Sequence, residues 1–313
     1  MNSVVIVGFP RSGTTLLRSL LARHEELLVP LREIHYVLEF QERYRGWIGD
    51  PAEAIEQLWR HAKWTPELLQ KEQLAPRITE AGMPVSAFFR IVFEEMARAN
   101  GGRTLVLKHP ELGHHLDLVR AVFPEVKVLS AVRDPRASVL SHRRRWPRMH
   151  VYWCASLWNR CVDVANACRA AGLGVRETRY EDLLEHPERE LSGICEWIGK
   201  EWRPELLEGD FVLHDHSQAA GEKHDYGGLD RSRIDSWKTG LSNNEIRLIE
   251  RLCSGRMGRH GYESVVDGKS PRSAGYFVFA GRVIGRDVSI ATIRRLRQGL
   301  RAFFGRRKVK VSA

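Results

Sequence analysis

The run Ser3-Val-Val-Ile-Val-Gly-Phe9, followed by Pro10-Arg-Ser-Gly-Thr-Thr15 and then Leu16, Leu17, Leu20 and Leu21, constrains the fold of this chain more than any other stretch. A short, β-branched apolar run ending in glycine and proline reads as a buried parallel strand. The leucines repeat at helical spacing on one face, so a helix starting near Ser12 can pack back on that strand. Similar units recur: a strand at Thr104–Lys108 with a helix near Leu112–Phe123, and a strand at Val126–Val132 with a helix near Arg136–Arg145. Tyr152–Ala171 reads as a long helix, Val175–Arg179 as a strand and Leu191–Ile198 as a helix. Alternating strands and helices predict an α/β fold: one P-loop-like parallel sheet flanked by helices. Between Gly209 and Ile234 the chain is rich in Gly, His and Asp, which predicts a long loop of the kind that closes over a ligand.

Gly8 and Gly13 have the G-x-x-x-x-G spacing of a phosphate-binding loop, but the usual Lys-Ser/Thr ending is replaced by Thr14-Thr15. In a nucleotide triphosphatase that lysine neutralises phosphate charge while the adjacent hydroxyl holds Mg²⁺, so its loss argues against ATP or GTP hydrolysis. The main-chain N–H groups of Ser12 to Thr15, with Arg11 and the hydroxyls, are expected to face an oxyanion. Sulfuryl transfer suits such a site, because fixed donors and cationic side chains can stabilise its less charged moving group without a metal.

A second anion site is expected after Val126–Val132, where Arg133 ends a strand and Ser141 lies about two helical turns further on. Taken alone, Arg133-Asp134 could equally be a surface ion pair.

The two motifs together resemble those of the PAPS-dependent sulfotransferases (PAPS, 3′-phosphoadenosine-5′-phosphosulfate), especially the branch of tyrosylprotein and many bacterial sulfotransferases. The resemblance runs from about Val4 to Tyr262. It implies that Arg11, Ser12, Gly13, Thr14 and Thr15 embrace the 5′-phosphosulfate, and that Arg133 and Ser141 hold the 3′-phosphate. It also implies that Tyr180 lies near the nucleotide, and that Ser232 and Arg233 belong to a closing loop before Trp237. Lys238 follows that tryptophan here, whereas tyrosylprotein enzymes place a lysine before it.

An acceptor hydroxyl must lose its proton as it attacks sulfur. Glu33 in VPLREIHY matches the family's Pro-x-Glu-x-His segment, with Arg32 as one extra residue. The resemblance makes Glu33 the expected general base of a metal-free in-line transfer, with His35 and His109 as alternatives. It assigns Lys108, with Arg11, to charge stabilisation during transfer. The competing readings are a P-loop-like kinase that consumes ATP with Mg²⁺, and a non-catalytic protein that binds PAP, the desulfated nucleotide.

The net charge of +10 does not signal nucleic-acid binding, because from Arg282 to Ala313 ten Lys or Arg face Asp287 alone, which is nine of the ten charges. A catalytic domain over residues 1–266 and a basic amphipathic extension over 267–313 are therefore expected. Ile293, Leu296, Leu300, Phe303 and Phe304 share one helix face among arginines, the pattern of a helix on an anionic membrane surface. Docking on the enzyme itself or on a homodimer partner is the alternative for that face. No apolar stretch is long enough for a membrane span, and strand-like sequence begins at Ser3, so a cytoplasmic protein is expected, at the inner face of a membrane if the extension binds one. The five cysteines are expected to be reduced core thiols, with Cys154, Cys161 and Cys168 on one helix. His214, His216 and His224 have metal-ligand side chains without metal-site spacing, so no metal is expected. Small-molecule, carbohydrate and lipid acceptors, and peptide tyrosines, all stay open.

Overall fold

The computed structural model describes residues 2–30, 32–61, 64–78, 81–110, 115–208 and 229–265, with the backbone of 212–213 and 224–225. From the N-terminus the elements are β1 (Ser3–Gly8), α1 (Thr14–Leu21), β2 (Leu27–Leu28), α2 (Tyr36–Arg43), β3 (Trp47–Ile48), α3 (Pro51–Trp59), α4 (Lys71–Leu74), β4 (Met83–Pro84) and α5 (Val85–Ala99). Then come β5 (Thr104–Lys108), α6 (Leu116–Val122), β6 (Lys127–Val132), α7 (Pro135–Arg145), α8 (Val151–Ala170), β7 (Gly174–Arg179), α9 (Tyr180–Glu185) and α10 (Pro187–Ile198). The strands β8 (Val212–Leu213) and β9 (His224–Asp225) precede α11 (Trp237–Gly240) and α12 (Asn243–Arg259).

Five strands form one parallel sheet in the order β2-β5-β1-β6-β7. β1 is central because helices cover both of its faces. Val5 and Val7 point to a core shared with Phe88, Phe89, Val92 and Phe93 of α5, while Val4 and Ile6 point to one shared with Leu17, Leu20 and Leu21 of α1. The period-two alternation of a strand thus splits one apolar run between two layers. A third cluster joins α7, α8, α11 and α12 around Trp158 and Trp237.

The expected parallel α/β sheet is present, and the long helix carries Cys154, Cys161 and Cys168 buried on one side. Spacing by seven returns a side chain to nearly the same face of a helix, so all three thiols face inward: Cys154 and Cys161 enter the Trp158 cluster, and Cys168 enters the core shared with α5. α5 and α12 were not anticipated, although Ser242 and Glu245 form a reciprocal capping box at the start of α12. The extension from residue 267 onward lies outside the described residues, as do most of the expected closing loop and the side chains of His214, His216 and His224.

The strand order matters for the site. β5 and β6 flank β1 on opposite sides, so the chain reverses its direction of sheet growth across β1. In open α/β sheets ligands bind at such a reversal, outside the carboxyl ends of the strands.

Candidate active site

The turn after β1 is shaped by close approach. A Cβ at Gly8 (φ +144°) would meet the Ala131 carbonyl at 2.5 Å, and one at Gly13 (φ +92°) would meet the Tyr180 ring at 2.6 Å. Glycine at these positions lets the turn lie flat on β6 and on Tyr180. Arg11 adopts φ +82°, a left-handed conformation that is uncommon for side-chain-bearing residues. Ser12 is buried, and its hydroxyl donates to the Phe9 carbonyl at 2.6 Å and the Ala131 carbonyl at 3.1 Å. Its N–H also donates to Phe9. Ser12 therefore braces the turn from within, and the N–H groups left to face an anion are those of Gly13, Thr14 and the rest of the first turn of α1.

Arg133 follows β6. Its guanidinium donates to the carbonyls of Arg11 at 3.1 Å and Arg233 at 2.8 Å and stacks 4.2 Å over the Tyr180 ring. Its buried Nε has no hydrogen-bond partner among the described residues. Arg11 Nε reaches Ser141 Oγ at 3.4 Å, which brings the two sequence-predicted anion sites into contact. The Arg133 carbonyl is held by Trp158 Nε1 at 2.9 Å.

Asp134 does not pair with Arg133. It caps α7 and forms a buried, bidentate ion pair with Arg136, which also reaches Glu250 at 2.6 Å and lies 3.9 Å over the Trp237 ring. Trp158 and Glu250 support the site although no motif marked them. Their only sequence signal was apolar or charged character inside helices, which is shared by dozens of core positions.

The Ser232 hydroxyl turns to Asp230 at 2.5 Å and is exposed, so the 229–234 segment is tied to the site through the Arg233 carbonyl. Lys238 is exposed and pairs with Asp235 at 2.9 Å.

On the other flank of β1, Lys108 ends β5 and Glu33 follows β2, which is the neighbour of β5. The buried Lys108 ammonium donates to Thr15 Oγ1 at 2.8 Å and to Glu33 Oε1, while His35 Nε2 hydrogen-bonds Glu33 Oε2. Burial alone would raise the Glu33 carboxyl. The His35 hydrogen bond and the Lys108 charge outweigh it and hold the group far below the usual carboxylate range. Arg32 turns away to the Trp64 carbonyl at 3.3 Å.

His109 lies beneath this cluster, edge-on to His35 with ring centroids 4.6 Å apart. It is fully buried, neither ring nitrogen has a hydrogen-bond partner among the described residues, and desolvation pushes its imidazole down to about 3. The described residues contain no group of three or more His, Cys, Asp or Glu arranged around a metal position.

The carboxyl edge of the sheet thus reads, strand by strand, as Glu33 and His35, then Lys108, the Gly8–Thr15 turn, Arg133 with Ser141, and Tyr180. Amides and cations converge there beside one carboxylate, and the orphaned Arg133 Nε is a buried donor awaiting an acceptor. An anionic nucleotide fits these groups.

Comparison with known proteins places this arrangement. Protein-tyrosine sulfotransferase 2 of Gallus gallus is 29% identical over 246 residues, covering 75% of this chain and 58% of that protein. The nodulation protein NoeE of Sinorhizobium fredii is 23% identical over 275 residues, covering 79% and 62%. The chain therefore spans about three fifths of the length of these relatives. The sulfotransferase domain of the Synechococcus PCC 7002 olefin synthase superposes with a TM-score of 0.55 at 25% identity, covering 80% of this chain and 94% of that domain. The sulfotransferase domain of the curacin biosynthetic pathway shares the fold, with a TM-score of 0.59 at 23% identity over 84% and 98% of the two chains. Residues 3–204, which carry the glycine turn, Glu33, Lys108, Arg133, Ser141 and Tyr180, match the sequence profile of the sulfotransferase family, and the chain belongs to that family.

Proposed function

We propose that this protein transfers a sulfuryl group from PAPS to a hydroxyl or amine of a small-molecule, carbohydrate or lipid acceptor. The observation that carries the reading is the bridge made by Lys108 between Thr15 of the anion turn and Glu33 in the segment after the neighbouring strand. One cation there touches both the place for the donor's sulfuryl group and the carboxylate that would receive the acceptor's proton.

In the proposed reaction the acceptor oxygen forms a bond to sulfur as the bond from sulfur to the 5′-phosphate oxygen breaks. The proton passes to Glu33, and the negative charge left on the departing PAP is offset by Lys108, Arg11 and the first-turn amides of α1. Arg133 and Ser141 hold the 3′-phosphate, and Tyr180 packs beside the nucleotide. Both Glu33 oxygens are engaged in the free protein, so Lys108 must shift toward the sulfuryl group before Oε1 can take a proton.

The same engagement favours a second reading. Glu33 would then orient His35 through Nε2, and His35 Nδ1 would be the base, as an aspartate orients histidine in hydrolase triads.

Turnover of ³⁵S-labelled PAPS in EDTA, with carbohydrate and lipid extracts as acceptors, tests the proposal. ATP consumption that requires Mg²⁺ would point to a kinase. PAP binding without transfer to any acceptor would point to a non-catalytic protein. His35→Phe separates the two base readings, because it removes the base in the second and leaves Glu33 in the first, whereas Glu33→Gln slows both, taking the base in one and the group that orients His35 in the other. For the extension over 267–313 we propose contact with an anionic membrane face on the cytoplasmic side; vesicle sedimentation with and without the residues after Gly281 tests it.

A further inference from the structure

From Pro135 through Val162 the chain contains no aspartate or glutamate but six arginines. Four of these, Arg143, Arg144, Arg145 and Arg148, crowd the hinge between α7 and α8. Arg143 is engaged by Glu245, and Arg145 lies 5.5 Å over the Trp146 ring. Arg144 and Arg148 are exposed and form no ion pair among the described residues. Trp146 and Met149 are 39% and 38% exposed, two of only four large apolar side chains so exposed among the described residues. A turn closed by the Met149 N–H on the Trp146 carbonyl at 3.0 Å sets them side by side. Isolated exposed apolar residues need no explanation, but a tryptophan and a methionine on one tight turn ringed by guanidinium groups do.

The hinge adjoins the site. The Trp146 ring packs 4.4 Å from His142, whose ring packs 5.1 Å from Phe9 of the glycine turn, and Ser141 touches Arg11.

We propose that the Arg143–Met149 hinge is a docking surface for an anionic lipid bilayer, with Trp146 and Met149 entering the headgroup region and Arg144 and Arg148 on lipid phosphates. The charge is complementary to such a surface, and each basic residue near an anionic leaflet adds appreciably to attraction within a Debye length. Tryptophan is favoured at the level of lipid headgroups because its ring is apolar and its N–H polar. An exposed turn suits a soft, flat partner better than an extended peptide, which needs a groove. Docking there would bring the rim of the sulfuryl-transfer site close to the lipid. The proposal rests on exposure and charge in the described body, and not on the chemistry of the site or on the extension over 267–313.

All five native cysteines are buried, so a cysteine introduced at position 149 of the full chain can be labelled selectively with an environment-sensitive fluorophore. Glu67→Cys supplies an exposed control. The label at 149 is expected to shift to the blue with phosphatidylcholine–phosphatidylglycerol vesicles and not with phosphatidylcholine alone, while the label at 67 stays unchanged. Arg144→Gln with Arg148→Gln, in a chain whose circular dichroism is unchanged, is expected to weaken vesicle partitioning about tenfold or more. Should Met149→Cys fold poorly, a label at Arg148→Cys reads the same surface. Vesicle binding with no shift at the hinge would assign binding to the extension and overturn the proposal. A shift with heparin or single-stranded DNA but not with vesicles, or no vesicle binding at all, would overturn it too.

Discussion

Lys108 ends β5 and Glu33 lies in the segment that follows the neighbouring strand β2, and the ammonium of the first is shared between the carboxylate of the second and the Thr15 hydroxyl at 2.8 Å. Replacing Lys108 by methionine keeps the length of the side chain and removes its charge. Turnover is expected to fall about 10²–10³-fold, the range seen when one fixed stabiliser of transition-state charge is lost. Lys108 also holds the Glu33 carboxyl down, so the acid limb of the turnover profile should move to higher pH. Initial rates across pH at saturating PAPS check both.

Glu33 makes a stability prediction of definite sign. Its folded carboxyl sits below its ordinary value of 4.5, so the folded state disfavours the proton more than the unfolded chain does. The stabilisation is present in full above about pH 4.5 and is lost as the pH falls through the lower folded value. Glu33→Gln should therefore be less stable than wild type at pH 7 by about 2 kcal/mol, below the range for a fully buried pair because Glu33 stays partly exposed. The gap should narrow in acid. Urea titrations at pH 7 and near pH 3.5 measure it.

His109 has the opposite chemistry and the same direction in acid. Burial depresses its folded imidazole to about 3, against 6.5 unfolded. Below pH 6.5 the unfolded chain takes up a proton that the native state refuses, so stability falls as the pH drops toward 3. His109→Leu loses no hydrogen bond among the described residues. It should flatten the pH dependence of stability in that window by about one proton, about 1.4 kcal/mol per pH unit at most. A gain in acid stability with turnover retained would also exclude His109 as the base.

Arg133 and Ser141 predict discrimination between nucleotides. Arg133→Lys gives up the planar fork that spans two carbonyls and the stack on Tyr180, and should weaken PAP about 10–100-fold. Ser141→Ala should cost roughly 3–30-fold, the worth of one hydrogen bond to a charged group. AMP, which lacks the 3′-phosphate, should be nearly indifferent to the serine change. Calorimetry with both nucleotides reads the difference.

Gly13→Ala meets two obstacles, a positive φ and the Tyr180 ring 2.6 Å from the new methyl. PAP binding should drop at least tenfold; measured against Tyr180→Ala alone, which itself loses the ring that Arg133 stacks on, the double variant should show a smaller drop, because only the backbone strain of about 1 kcal/mol persists once the clash is gone. The double variant separates the two causes.

Much of this protein was written locally. The β-branched run at Ser3–Gly8, the glycines at 8 and 13 and the leucines of α1 encode a strand, a turn and a helix through short-range sterics and periodicity, and so they could be read in order. Arg133 and Ser141 were legible for the same reason: one strand end and one helix hold both. Only the tertiary structure decided which strands are neighbours. Strand order is set by burial on both faces of the sheet, between residues a hundred positions apart. That order puts Lys108 against Glu33 and turns Asp134 toward Arg136, and it occupies the Ser12 hydroxyl inside the turn. Motif spacing along the chain carries no information about such long-range contacts, because a side chain's hydrogen-bond partner is chosen by packing and desolvation after the strands have met.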